Sequence, residues 1–359
     1  MSKRCSLGRR HNLWNGALLV GLMLQAPLPA QAGEGLSVAT ADRPVLEDRY
    51  PARRTAFANG VVGLADVTYA VIPGFRPLRL DLYLAPGSAQ GAHPLVIFVH
   101  GGGWQSGHTR HSGAFADWPG VLASLAARGY VVTSLEYRLS GEAHFPAAIQ
   151  DVKSAIRWLR THSSEYGIDP ERAVIWGGSA GGQLAALAAT SCGIAELEPT
   201  QATPGPGAPQ KVPPPSDCVQ GLVAWYGVFD FATLTNQSVA VGGREGADSA
   251  PSRYLGCASS DCARVAAAAS AASYVDSKDP PTLLIHGSDD HTVPVQQSRD
   301  FLALLRSKGV SAEMVEIPGV DHSFIGKTPQ ATRAASLQAL QRSFEFIDRT
   351  IGKGRPHFP

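Results

Sequence analysis

Ser179 stands in Gly177-Gly178-Ser179-Ala180-Gly181, a G-x-S-x-G run preceded by the strand-like Val174-Ile175-Trp176 and followed by the helix-like stretch Gln183 to Ala189. That context makes Ser179 the tip of a sharp strand-to-helix turn, where a hydroxyl is presented for nucleophilic attack. A side chain at either flank would meet the strand or the helix, and glycines occupy 177 and 181. The helix that starts here aims unpaired N–H groups and its positive dipole end at charge developing beside the serine. A serine attacks well only when a histidine takes its proton and a carboxylate orients that histidine. On this kind of turn the partners follow in the chain as Asp/Glu and then His. Thr282 to Ile285, a predicted strand, leads into His286-Gly287-Ser288-Asp289-Asp290-His291-Thr292-Val293-Pro294, and Glu313 to Ile317 leads into Pro318-Gly319-Val320-Asp321-His322-Ser323-Phe324. His322 is therefore the candidate base, and Asp289 and Asp290 are the candidate acids.

A second glycine run serves the other half of acyl chemistry. His100-Gly101-Gly102-Gly103-Trp104 closes the continuous apolar run Pro94 to Val99, so it falls at the carboxyl edge of a buried strand. Bare backbone there lets the amides of Gly102 and Gly103, with that of Ala180, form an oxyanion hole. No Lys-Ser/Thr pair follows the glycines, which argues against a phosphate loop. Trp104, Trp225, Tyr226 and Phe229 lie near predicted strand ends; lining an aromatic acyl pocket and core packing are equal readings. His108 and His111 have i, i+3 spacing that a metal could use, but a solvated loop is the better reading. His93, His144, His162, His286 and His357 are read as structural.

The elements that must position these residues alternate in type. Ala65 to Val71 and Leu78 to Leu84 alternate apolar and polar residues around Pro73-Gly74, the pattern of an edge hairpin. Further strands are predicted at Tyr130 to Leu135 and Val219 to Trp225. Helices are predicted at Ala114 to Arg128, Phe145 to Tyr166 and Pro329 to Ile351. Strands alternating with helices imply an α/β fold with a mostly parallel sheet covered on both faces. Two insertions break the rhythm: the loop 193–217, with seven prolines, and 231–276, a candidate cap over the site. Residues 33–63 show little pattern and are expected to form an irregular arm, leaving 64–351 as the catalytic domain.

Residues 1–32 combine Lys3, Arg4, Arg9 and Arg10 with the apolar run Leu13 to Leu24 and Ala30-Gln31-Ala32, the plan of a signal peptide. Arg9-Arg10 fits the twin-arginine pattern only loosely, so general secretion is preferred. The expected location is periplasmic or secreted, without a membrane anchor. The mature chain keeps 27 Lys+Arg against 30 Asp+Glu, a formal net charge of −3, and no basic patch points to nucleic acid. Its four cysteines, in an oxidising compartment, are expected to pair locally as Cys192–Cys218 and Cys257–Cys262, one of three connectivities. The spacings do not resemble a zinc module.

Taken together, HGGGW at 100–104, EYRLS at 136–140, FPAAIQDVKSAIRWLR at 145–160, GGSAGG at 177–182, HGSDDHTVP at 286–294 and GVDHSF at 319–324 resemble the α/β-hydrolases of the hormone-sensitive-lipase-like and bacterial feruloyl and acetyl-xylan esterase group. The resemblance implies an α/β-hydrolase fold and a cofactor-independent serine esterase. Its H-G-x-x-D-x-x-V-P pattern places the acid at Asp290. Export, near-neutral charge and the aromatic candidates favour small acyl or hydroxycinnamoyl esters, including those on plant polysaccharide. An arylformamidase-like amidase or a peptidase on the same triad is the alternative. A catalytically dead binding domain fits the intact Ser179, Asp290 and His322 poorly.

Overall fold

A computed structural model of the chain describes residues 53–72, 74–88, 91–199, 214–241, 248–257 and 262–352. The expected signal peptide, the first part of the arm, most of the proline-rich loop and His357 lie outside the described residues. In chain order the elements are β1 (Arg53–Ala56), β2 (Val62–Ala70), β3 (Leu78–Leu84), β4 (His93–Val99), α1 (Trp118–Ala126), β5 (Val131–Leu135), α2 (Ala147–Thr161), α3 (Ser163–Tyr166), β6 (Ile168–Gly178) and α4 (Ala180–Thr190). Then follow β7 (Gly221–Trp225), α5 (Phe231–Ala240), α6 (Ala250–Leu255), α7 (Ala263–Ala269), β8 (Thr282–Gly287), α8 (Gln296–Ser307), β9 (Ala312–Ile317), β10 (Val320–Asp321), β11 (Ile325–Gly326) and α9 (Pro329–Ile351).

Nine strands form one sheet in the order β1-β2-β3-β5-β4-β6-β7-β8-β9. The β1/β2, β2/β3 and β3/β5 pairs are antiparallel, and every pair from β5 to β9 is parallel. This is the expected mostly parallel α/β sheet. Its central strands β4, β5, β7 and β8 are buried along their whole length, which is why apolar residues stand on both faces of Pro94–Val99 and Leu283–Ile285 with no polar alternation. One face packs against α2, α4 and α8 around Ile97, Ile156, Leu184 and Phe301. The other packs against α1 and α9 around Phe98, Trp118, Trp176 and Trp225. All eleven residues of α4 are buried, as its Ala, Leu and Gly content on every side requires.

Three boundaries differ from expectation. The arm is not irregular throughout: Arg53–Ala56 pairs with β2 from Val62 to Ala65 as an edge strand, followed by a 3-10 turn at Ala58–Gly60. The first helix begins at Trp118, because Asp117 accepts the Gly120 amide at 2.9 Å and caps it there. The 145–166 helix divides at His162, whose ring Nδ1 lies 2.8 Å from the Trp158 carbonyl; a last turn, α3, ends on the left-handed Gly167.

Both expected cysteine pairs are bonded, Cys192–Cys218 and Cys257–Cys262. The first ties the end of α4 to the approach of β7, where Lys153 of α2 also reaches across. Its Nζ, fully buried, donates to Asp217 Oδ2 at 2.6 Å and to the Ser191 carbonyl at 2.5 Å. Arg157 and Arg160, one and two turns further along α2, donate to the Pro215 and Cys218 carbonyls at 2.9 and 2.6 Å. The described ends of the proline-rich loop are thus held by cations of one helix.

Candidate active site

Ser179 sits between β6 and α4 with φ 56° and ψ −123°, a conformation that is strained for a side-chain-bearing residue. The strain is enforced by backbone packed on both sides. A Cβ at 177 would lie 2.2 Å from the Gly181 carbonyl oxygen, and one at 181 would lie 2.0 Å from that of Val99, so only glycine fits either position. The Ser179 amide donates to the Trp225 carbonyl at 2.9 Å, tying the turn to the neighbouring strand.

His322 and Asp290 meet this serine. The Ser179 Oγ lies 2.9 Å from His322 Nε2, and His322 Nδ1 lies 2.7 Å from Asp290 Oδ2. Asp290, in the turn three residues beyond β8, is buried, and its Oδ1 accepts the amides of Thr292 and Val293 at 2.9 and 2.8 Å. Burial alone would raise its pKa, but hydrogen bonds from His286 and His322 outweigh that and hold it well below the usual carboxylate range. Asp289 is exposed and accepts the Ser288 hydroxyl at 2.6 Å, so the structure separates the two adjacent candidates. Asp321 joins the acid and base loops, accepting the main-chain N–H of His291 and of His322 on the same Oδ1. A hydroxyl facing an imidazole whose far nitrogen is fixed by a buried carboxylate can be deprotonated as it attacks.

The glycine loop lies against this group: a Cβ at 101 would come within 3.3 Å of the Ser179 Cβ. Among the described residues the amides of Gly102 and Gly103 have no protein acceptor, while the Gly102 carbonyl accepts from Gln105 and Ser106 at 3.1 Å each. Ala180 opens α4, where the amide has no partner within the helix. Two residues that sequence reasoning passed over shape the loop. His100 stacks on Tyr137, with ring centroids 4.4 Å apart, and its Nδ1 is 2.7 Å from the Gly101 carbonyl. Burial pushes its pKa down to about 4, so at neutral pH it is uncharged and donates from Nδ1. Gln183 of α4 accepts the Trp104 indole N–H at 2.9 Å and donates to the Ala269 carbonyl at 2.8 Å, joining the glycine loop to α4 and α7. The usable signal for His100 and His286 was a His-Gly pair at a strand end.

Of the four aromatic candidates, two stand beside the site. Trp104 stacks on Tyr254 of α6 at 4.7 Å, and Tyr226 places its ring 4.8 Å from that of His322. Trp225 and Phe229 are core residues and not pocket walls. Trp225 points to the α9 face, where it meets Trp176 at 4.8 Å and donates to Ser343 at 2.9 Å; Trp176 in turn meets Trp118 at 5.3 Å. Phe229 stacks on Phe301 at 4.5 Å. His108 and His111 share an exposed turn, rings 6.1 Å apart, and the His108 Nδ1 accepts the Arg110 amide at 3.1 Å. A cavity of about 1410 Å³ opens near Thr282, Ala312 and Gln220, at the amino-terminal ends of the strands and away from this edge.

A Ser–His–Asp constellation at the carboxyl edge of this sheet, with its serine on a strained strand-to-helix turn, defines an α/β-hydrolase. The BD-FAE family model matches residues 80–305, and the chain belongs to that family of hormone-sensitive-lipase-like α/β-hydrolases. The esterase LipQ of Mycobacterium tuberculosis is 34% identical over 262 residues, covering 72% of this chain and 57% of the relative. This chain thus spans little more than half the length of the curated relatives it matches. Among solved structures, a truncated carbohydrate esterase from gut microbiota superposes with a TM-score of 0.65 at 27% identity, covering 81% of this chain and 96% of that one. The propionate-bound esterase 2 of Thermogutta terrifontis superposes with a TM-score of 0.60 at 25% identity, covering 82% and 97%.

Proposed function

We propose that this protein is an exported serine carboxylic-ester hydrolase acting through an acyl-enzyme. The observation that carries the reading is the unbroken chain from Ser179 Oγ through both nitrogens of His322 to Asp290 Oδ2, at 2.9 and 2.7 Å. His322 takes the Ser179 proton as the oxygen attacks the ester carbonyl, and the amides of Gly102, Gly103 and Ala180 receive the oxyanion. Collapse expels the alcohol, which takes that proton from His322; water then repeats the sequence and frees the acid. Asp290 keeps the imidazole proton on Nδ1.

Small acyl groups are the proposed substrates, with hydroxycinnamoyl esters and esters of plant polysaccharide included in the class. The cap supports this: Trp104 and Tyr254 are stacked and almost wholly buried, and a Cβ at 103 would come within 3.2 Å of Ala250 in α6. The relatives with bound propionate or named as carbohydrate esterases agree with it. Two disulfides agree with an oxidising compartment. Among the described residues no helix is long and apolar enough to cross a membrane.

The test is hydrolysis of p-nitrophenyl esters from acetate to palmitate, methyl ferulate, acetylated xylan and an aryl formamide, by wild type and Ser179→Ala. Activity on the short esters that falls about 10⁴-fold or more in Ser179→Ala is expected. Wild-type turnover in that variant, or rates climbing steadily to palmitate, would overturn the nucleophile or the substrate class respectively.

A further inference from the structure

Asp290 has a second histidine against it. We propose that His286 is a positioning residue for the Asp290 carboxylate, holding Oδ2 so that this oxygen meets the Nδ1–H of His322. The inference rests on the Ser179–His322–Asp290 reading above. His286 is the penultimate residue of β8, with its side chain fully buried; its Nε2 lies 2.8 Å from the Val293 carbonyl and 3.2 Å from Asp290 Oδ2. Both neighbours are acceptors, so Nε2 carries a hydrogen, aligned chiefly on Val293 with Oδ2 as its second partner. Nδ1 lies 2.6 Å from Ser298 Oγ in α8, and that buried hydroxyl donates to it. Helix α8 thereby sets the tautomer of His286.

Each oxygen of Asp290 now has two contacts: Oδ1 with the amides of Thr292 and Val293, Oδ2 with His322 and His286. Two anchored oxygens fix the carboxylate plane, and that plane sets the direction of the hydrogen bond to His322. Donation from His286 also shares out negative charge that would otherwise act on His322 alone. Removing it therefore leaves that charge acting on His322 alone and favours the imidazolium over the neutral ring. The other charged or titratable neighbours are Asp321, which holds the His322 amide and faces His291 at 3.5 Å, and Tyr226, whose buried phenol is raised above its ordinary value. Neither is altered by substitution at 286.

The experiment compares wild type, His286→Leu, His286→Gln, Ser298→Ala and Ser179→Ala on p-nitrophenyl acetate, with active sites counted by a fluorophosphonate and kcat/KM followed against pH. In His286→Leu, kcat per titrated site should fall about 10- to 100-fold, the range for a lost hydrogen bond to a charged group, with KM unchanged. The acid limb of kcat/KM should move to higher pH. His286→Gln, which keeps an N–H donor at similar reach, should recover most of both. If His286→Leu does not fold, Ser298→Ala decides: a several-fold lower kcat with the same upward shift supports the proposal. Wild-type kcat per site and an unmoved acid limb overturn it, as does a loss confined to the number of titratable sites, which would make His286 a staple for the Val293 turn alone. Full activity in Ser179→Ala would remove the underlying triad reading, whereas an inactive Ser179→Ala beside a wild-type-like His286→Leu would remove only the role of His286.

Discussion

Replacing Asp290 by Asn is expected to lower turnover about 10⁴-fold, equivalent to 5–6 kcal/mol at the transition state. The structure fixes how the amide must sit. The main-chain N–H groups of Thr292 and Val293, at 2.9 and 2.8 Å from Oδ1, cannot turn away, so the single amide oxygen stays with them. The NH₂ then occupies the Oδ2 position, 2.7 Å from His322 Nδ1, and donates where the carboxylate had accepted, while the His286 N–H gives up its longer 3.2 Å contact there and keeps the Val293 carbonyl at 2.8 Å. That drives the imidazole proton to Nε2, facing Ser179 Oγ, and the base can no longer take the serine proton. The same swap in serine proteases has a cost of that size. Asp289→Asn, at an exposed carboxylate bonded to the Ser288 hydroxyl, should change turnover less than about threefold, the range of an ordinary surface substitution. The assay is kcat on p-nitrophenyl acetate for both purified variants, with folding checked by circular dichroism. Asp290→Asn retaining more than a tenth of wild-type turnover, or Asp289→Asn proving the silent variant, would refute the reasoning.

Gly181→Ala drives a Cβ to 2.0 Å from the Val99 carbonyl oxygen and 2.6 Å from that of His100, both rigid backbone; it should cost about 3 kcal/mol or more, while Gly141→Ala, with nothing within 4 Å, should be neutral in the same urea titration. The imidazole of His100 is pushed to about 4 from an ordinary 6.5, so between those values the unfolded chain binds more protons and stability falls as pH drops from 6.5 towards 4, by up to about 3 kcal/mol. Half-buried Asp279, raised to about 6, acts in the opposite direction, so the measurement compares pH-dependent melting of wild type and His100→Asn, in which the His100 contribution should vanish. Lys153→Met strands the buried Asp217 carboxylate and should cost about 3 kcal/mol, the low end for a broken buried pair because Arg157 still reaches Asp217 at 3.0 Å; an unchanged urea midpoint would contradict it.

What could be read from the chain was whatever depends on local backbone. Gly177 and Gly181 announce the turn because no other residue fits, and His322 announces itself by following a strand late in the chain. Asp290 needed the family spacing to be told from Asp289, since two neighbours in one loop look alike until the fold points them. Trp225 and Phe229 were unreadable for a related reason: a strand-end aromatic faces one of two sides of the sheet, and the choice depends on packing from distant helices. β1 was missed because Arg53-Arg54-Thr55-Ala56 is exposed throughout and is a strand only through its pairing with β2. His286 was read as structural because a single histidine carries no sign of which loop will fold over it.

The packing of Trp118, Trp176 and Trp225 beneath the site has an optical consequence. Three of the six tryptophans in the chain sit edge-on to one another at 4.8–6.2 Å, an arrangement in which their excited states couple and give a strong near-ultraviolet dichroism. Trp225 touches Phe324 at 5.4 Å, Phe324 touches Tyr226 at 4.7 Å, and Tyr226 touches His322. The chromophore is therefore connected by ring contacts to the histidine that faces Ser179. Its spectrum reports whether the floor under that pair is assembled, without any label attached.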